Sequence, residues 1–362
     1  MRCLFDFRRY RQGFRVPLRT AHGLWAEREG VFVRLTAEDG KMGFGEAAPV
    51  PGFGMESAEA IEAACRALNG EISEETLGQL PVSLPTFQNA LRGAWGYATC
   101  GRTETVIKDD FLPAAAGSAR PRGRVLETAG PATSLPVATL LPAGRAVLEV
   151  ARARVDDGFR NFKWKVGAGD LADELAILDD LCAVLPAGSK LRLDANGAWD
   201  RRAAARWLER CAERPIEYVE QPIARDARGA EDSLLGLASD YPTALALDES
   251  LVGEGDLERW LGAGWPGVYV IKPALFADPA PALDRLAKAN ASVVFSSALE
   301  TAIGARAALE RAFVWTGERR ALGFGVWPLF ANPAFDGPAT APFIRYSDVE
   351  RLNPGAVWNA LS

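Results

Sequence analysis

Apolar and polar positions alternate along the first part of the chain with the two-residue period of β-strands. Leu4 to Tyr10, Glu29 to Thr36 and Met42 to Ala47 read this way, and Glu38-Asp39-Gly40 between the last two predicts a hairpin. The period then changes. Ser57 to Leu68, opened by Ser57 as an N-cap, and Leu84 to Cys100, rich in Ala and Leu, carry helical spacing. Asp110 to Thr133 is rich in Pro, Gly, Arg and Ala without any period, which marks a boundary loop. Residues 1–133 are therefore expected to form an α+β capping domain.

From Leu135 onward, short apolar runs alternate with amphipathic stretches: LPVATLL, FKWKVG, LRLDANG, YVEQP, ALALDES, VYVIKP, SVVFSS and ALGFGV. Charges recur near the ends of these runs, with steps of 29 residues from Lys165 to Asp194, 26 to Glu220, 28 to Asp248 and 24 to Lys272. One βα unit fits each step. Eight such units closing on themselves make a TIM-type (β/α) barrel, expected here over residues 134–325. An open doubly wound sheet would have fewer strands and a Gly-rich phosphate loop after the first, and no such loop follows LPVATLL. The tail, residues 326–362, is rich in Pro, Phe and Trp and is expected to pack back on the capping domain.

Composition narrows the function classes. The 362 residues are 48% hydrophobic and 24% charged, and no run of apolar residues is long enough to cross a bilayer. The opening MRCLFDFRRYRQGF lacks the apolar stretch of a secretory signal, so a cytoplasmic protein is expected. Five scattered cysteines without a CxxC pair predict reduced thiols rather than disulfides or a zinc cluster. A net charge of −6 without a basic tract gives no footprint for nucleic acid or membrane, which leaves a small-molecule partner.

Lys163 and Lys165, Asp194 and Asn196, Glu220, Asp248 and Glu249, and Lys272 all fall at the C-terminal ends of the expected strands. A closed barrel gathers those ends on one face, where active sites of this architecture are assembled. A lone acid after a strand commonly caps the next helix, and a lone lysine is commonly a solvated edge residue. Three acids on consecutive strands, flanked by lysines on the strands before and after, form a pattern that independent capping does not generate. Three carboxylates in one pocket repel unless a cation lies among them, and oxygen-only ligands select a hard divalent ion such as Mg²⁺. The single histidine, His22, is remote in sequence. Lys163 and Lys165 share one face of a strand, so the pair is expected to lower the pKa of one member, Lys165, while Lys163 stays charged. Lys272 is placed to act as a second acid/base or as an ammonium over an unsaturated ring.

The set FKWKVG, LRLDANGAW, YVEQP, ALDES and IKPAL resembles the muconate-lactonizing subgroup of the enolase superfamily, and RVPLRTAHG, GFGEAAPVPGFG and FSSALETAIG extend the likeness over nearly the whole chain. The resemblance implies a modified (β/α)7β barrel with an N-terminal cap. It further implies Asp194, Glu220 and Asp248 as ligands of Mg²⁺, or of Mn²⁺ as a substitute. Lys165 would be the acid/base that removes the proton alpha to a substrate carboxylate and then protonates a departing hydroxyl. Lys272 would stabilise the enediolate, Lys163 would tune Lys165, and Asn196 and Glu249 would orient the metal site. Ser296, Ser297, Glu300, Ile303 and Gly304 would bind the rest of the substrate, partly through backbone amides at a helix start. The Arg15 to Gly23 loop and the Pro49 to Phe53 turn would close over the pocket. Phe53, Trp327 and Phe330 read either as a ring-accepting wall or as core, and His22 as a substrate contact or a hydrogen-bonded loop residue. GFGVWPLF has no acid where epimerases of the subgroup hold a substrate ammonium, which favours a substrate without one. Racemases, epimerases and cycloisomerases share the catalytic set, and a non-catalytic metal-dependent binding protein is the reading of another class.

Overall fold

The computed structural model describes residues 1–20, 23–68, 70–100 and 132–361. Four strands form the antiparallel sheet of the N-terminal region: β1 (Arg2–Thr20), β2 (Gly23–Ala37), β3 (Met42–Ala47) and β4 (Glu71–Ser73), in the order β3-β2-β1-β4. Helices α1 (Ala58–Ala67), α2 (Glu74–Gly78) and α3 (Pro85–Cys100) accompany it. The Ser57 side chain accepts from Ala60 N at 3.2 Å and caps α1. Gly43 and Gly45 let β3 lie against α3, because a Cβ on either would collide with the backbone of Ala94 or Ala90. A core of Val31, Val33, Leu35, Ile61, Phe87, Leu91 and Ala94 fills the space between sheet and helices.

Eight parallel strands follow: β5 (Ser134–Leu141), β6 (Asn161–Lys165), β7 (Lys190–Asp194), β8 (Ile216–Glu220), β9 (Leu245–Leu247), β10 (Val268–Ile271), β11 (Ser292–Phe295) and β12 (Leu322–Gly325). Neighbours pair in sequence order from β5 to β11, and β12 pairs β5. A parallel bridge between Ser296 and Gly323 closes the ring. Helices α4 (Val147–Asp156), α5 (Leu171–Val184), α6 (Arg201–Cys211), α7 (Ala230–Asp240), α8 (Glu254–Gly262), α9 (Pro279–Lys288) and α10 (Ala302–Val314) follow the first seven strands, so the barrel is (β/α)7β. Tyr218, Ala246, Val268, Val270 and Val294 form a separate small core. In register Val268 faces Ala246 and Val270 faces Val294, which sets these side chains inside the barrel.

The tail adds β13 (Phe343–Arg345), antiparallel to β5, then α11 (Tyr346–Glu350) and α12 (Pro354–Asn359). It touches the capping sheet: Arg8 Nη1 donates to Trp358 O at 2.9 Å, Phe32 stacks on Phe335, and Phe14 lies 5.8 Å from Phe330.

Several sequence expectations change here. β1 runs to Thr20 instead of ending at Tyr10, because backbone pairing with β2 continues through the arginines that break the alternation, Arg9 and Arg11, which pair with Glu29. Within Arg15 to Gly23, expected as a loop, Leu18, Arg19 and Thr20 pair with Trp25, Leu24 and Gly23. The strands β4 and β13 are three residues each, too short to show a period. The expected boundary loop lies almost wholly outside the described residues, as does His22.

Candidate active site

Register brings the site together. Lys165 is opposite Asp194, and Asp194 opposite Glu220, so the ends of β6, β7 and β8 present their charges in a row. Ala246 pairs with Glu220, and Asp248, two residues on, falls on the same side of the chain. The loop after β6 is shaped by Glu174 of α5, a buried carboxylate that accepts from Gly167 N at 2.8 Å, Ala168 N at 3.2 Å and Gly169 N at 3.0 Å.

Lys163 Nζ lies 2.9 Å from Asp194 Oδ2 and 2.8 Å from Glu220 Oε1. Lys272 pairs with Asp248. The three acids expected to converge are thus divided between two ammonium groups. Among the described residues no group of three His, Cys, Asp or Glu side chains closes around one point. The physical reason is charge: three carboxylates at most 7% exposed repel in a low dielectric, and each takes the nearest lysine.

Burial by itself would lower the Lys163 pKa, but the carboxylates of Asp194 and then Glu220 carry it well above the ordinary lysine value. Asp194 is pulled below the carboxylate range despite its burial, by Lys163 and then Lys165. Glu220 is raised, by burial first and by Asp194 as well. The lysine whose pKa falls is Lys272, to about 8, through burial and the nearby Lys163 charge, against an upward pull from Glu220. The charge of Lys163 is therefore engaged by the acids, as expected for that member of the pair, and Lys272 on the far strand is a buried lysine with a lowered pKa. Lys165 is exposed at the mouth of the barrel.

Asn196, at φ 45°, donates from Nδ2 to Glu249 Oε1 at 3.0 Å, and its amide donates to Asp194 Oδ1 at 3.2 Å. Burial raises Glu249 to about 7, and its Oε2 has no hydrogen-bond partner. Sequence reasoning missed Gln221. Its Oε1 accepts from the amides of Asp248 (3.0 Å) and Ser250 (3.1 Å), and its Nε2 donates to Ser250 Oγ (2.7 Å) and Ile223 O (2.8 Å). It is fully buried at φ 38°, and the polar residue before Pro222 was the only signal that could have found it.

The donors present fit a hard divalent ion: all are carboxylate oxygens at one rim, two already share a single cation, and Glu249 adds a buried oxygen without a partner. Asp194, Glu220 and Asp248 would hold Mg²⁺, with Asn196 and Glu249 orienting them.

On the other side of the same rim the Phe53 ring centroid lies 5.4 Å from Lys272 Nζ. Ser296 Oγ donates to Gly323 O at 3.3 Å. Ser297 Oγ donates to Glu300 Oε2 at 3.0 Å and accepts from Leu299 N at 2.9 Å. Both hydroxyls are thus engaged inside the protein. The amides at the start of α10 are also taken: Ile303 N donates to Thr301 Oγ1 at 3.4 Å and Gly304 N to Glu46 at 2.9 Å. The anion at that helix start is the Glu46 side chain of the cap. Trp327 is 2% exposed and Phe330 fully buried, and both belong to the main hydrophobic core.

This rim of acids and lysines on a (β/α)7β barrel belongs to a known class. The family model "Enolase C-terminal domain-like" matches residues 146–337, and the chain belongs to that family. It is 40% identical over 328 residues to the o-succinylbenzoate synthase of Thermosynechococcus vestitus, an alignment covering 89% of this chain and 92% of that one. It is 32% identical over 251 residues to a hydrophobic dipeptide epimerase of Roseobacter litoralis, covering 67% of each. The solved o-succinylbenzoate synthase of Thermosynechococcus elongatus BP-1, complexed with Mg in its active site, superposes with a TM-score of 0.77 at 37% identity over 99% of both chains. An N-succinyl Arg/Lys racemase of Bacillus cereus shares the fold at 17% identity and a TM-score of 0.78.

Proposed function

We propose that this protein is a Mg²⁺-dependent lyase, an o-succinylbenzoate synthase, that dehydrates 2-succinyl-6-hydroxy-2,4-cyclohexadiene-1-carboxylate to 2-succinylbenzoate. The observation that carries the reading is the row of charge across strand ends: lysines on β6 and after β10 flank carboxylates on β7, β8 and after β9. Mg²⁺, when bound, supplies positive charge beside the substrate carboxylate and makes the neighbouring C–H more acidic. Lys165, exposed at the mouth, takes that proton at Nζ and returns a proton to the hydroxyl, which leaves as water. Lys163 stays an ammonium because Asp194 and Glu220 hold it so. Lys272 presents a second ammonium beside the Phe53 ring, where a cation faces the developing enediolate charge.

On this reading the product belongs to menaquinone or phylloquinone synthesis, Mn²⁺ can replace Mg²⁺, and the protein works in the cytoplasm on a small carboxylate without nucleic acid or membrane. Purified protein with Mg²⁺ and the cyclohexadiene substrate should remove the diene absorbance, and Lys165→Ala should abolish this while substrate still binds. A metal-loaded protein that leaves the diene untouched refutes the proposal. A wild type that binds the ligand without consuming it, with ligand affinity and biological activity intact in Lys165→Ala, would instead favour a binding protein without catalysis.

A second reading, N-succinylamino acid racemase, draws support from the acid-free stretch 323–330, which suits an acylated amine as well as a substrate lacking nitrogen. Incorporation of deuterium from D₂O into N-succinylamino acids would establish it.

A further inference from the structure

Two buried charges of the cap converge on one segment of the barrel. Arg28 of β2 is 1% exposed. Its guanidinium donates to Pro49 O at 2.5 Å and to Ala48 O within the cap, and to Leu299 O at 3.1 Å and Ala298 O at 3.3 Å in the barrel. Glu46 of β3 is 5% exposed and accepts from Tyr10 Oη at 2.5 Å. It also accepts from Thr301 Oγ1 at 2.6 Å, Thr301 N at 3.0 Å and Gly304 N at 2.9 Å.

The chemistry is complementary. A cation takes the carbonyls at the start of the segment Ala298–Gly304, and an anion takes the amides at its end, where α10 begins and a negative charge is favoured. Leu299 sits in the left-handed region at φ 62°, a conformation that an ordinary side chain adopts only where its surroundings hold it. Gly304 leaves the room: a Cβ there would stand 2.8 Å from Glu300 Cβ and 2.9 Å from Glu46 Oε2. Between the two clamps lies Glu300, 1% exposed, with Oε2 bonded to Ser297 and Oε1 buried without a partner. Arg28 also fixes the Pro49 carbonyl, four residues before Phe53.

We infer that Arg28 and Glu46 are positioning residues: through them the cap shapes the Ala298–Gly304 segment, and with it the placement of Glu300 and of the Phe53 turn. The inference rests on the proposed synthase reading for its substrate and deepens it. The metal side of the rim, on β7, β8 and the end of β9, makes none of these contacts and should be indifferent to them.

Arg28→Met and Glu46→Gln provide the test, with Arg28→Lys in place of the first if it does not fold. In the full-length protein, each should raise the KM for the cyclohexadiene substrate at least tenfold while Mg²⁺ affinity, titrated with the metal alone, stays within twofold. A purely structural defect would lower the active fraction and leave KM unmoved. Hydrogen exchange in the 298–304 peptide should quicken at least tenfold in both variants. Unchanged KM in folded variants, or unchanged exchange in that peptide, overturns the inference. If the wild type does not consume the diene, the synthase reading fails by itself, and the exchange measurement still decides this one.

Discussion

Lys163 Nζ lies within 2.9 Å of carboxylate oxygens from both Asp194 and Glu220, so one ammonium neutralises two buried acids on adjacent strands. Removing one partner of a buried ion pair typically costs about 3–5 kcal/mol, because the other charge is left uncompensated. Lys163→Met is therefore expected to lose stability of about this size in metal-free buffer. Millimolar Mg²⁺ should restore part of it, giving a larger metal-induced rise in Tm than in the wild type. Thermal melts with and without Mg²⁺ check this, and an equal rise in both proteins would separate Lys163 from the metal site.

Gln221 holds the backbone amides of Asp248 and Ser250 through a single side-chain oxygen. Replacing it with Leu leaves two buried donors unsatisfied, a loss of about 1–3 kcal/mol for each. Because the carboxylate of Asp248 is aimed by that backbone, Mg²⁺ affinity should fall about 10- to 100-fold in Gln221→Leu. Asp248→Asn should weaken binding further. Calorimetric titration of the two variants, with the loss in Gln221→Leu smaller, is the expected order.

Burial raises the Glu300 carboxyl to about 7, whereas in the unfolded chain it titrates near its usual 4.5. Between these values the native state holds a proton that the unfolded state lacks, so stability falls as pH rises through this window, and the cost is fully present above pH 7. The penalty is on the order of 3 kcal/mol, from the difference of about 2.5 pKa units. Glu300→Gln should then raise Tm at pH 8 and change it little at pH 4.5. A gain of equal size at both pH values would show that the substitution acts by packing instead of charge.

Gly45 packs directly on α3, and a Cβ there meets the carbonyl of Ala90, a backbone atom that cannot turn aside. Gly45→Ala should separate β3 from α3 and destabilise the cap by about 1–3 kcal/mol. Loss of protection in residues 85–100 by hydrogen exchange, with β7 and β8 unaffected, is the expected pattern.

The spacing of Lys165, Asp194, Glu220, Asp248 and Lys272 made the barrel and its functional face readable from sequence, because strand and helix lengths are set by local period and barrel closure gathers strand ends. The lysine and acid identities carried the chemistry for the same reason: each sits at a strand end, where register alone decides its neighbours. Which ammonium meets which carboxylate was not readable, since that depends on distances across strands far apart in the chain. Burial lowers the Lys272 pKa, a consequence of the assembled core that no spacing in the sequence marks. Arg28, Glu46 and Gln221 were invisible for a related reason. Each acts on backbone groups distant in sequence, and no period or spacing marks a side chain whose partner is a carbonyl or amide some 30 to 270 residues away. Residue order thus determined the strands, the helices and the chemistry at the rim, while closure of the barrel decided the charge pairing and the packing of cap on barrel decided the partners of Arg28 and Glu46, because both depend on contacts that exist only once distant parts of the chain are folded together.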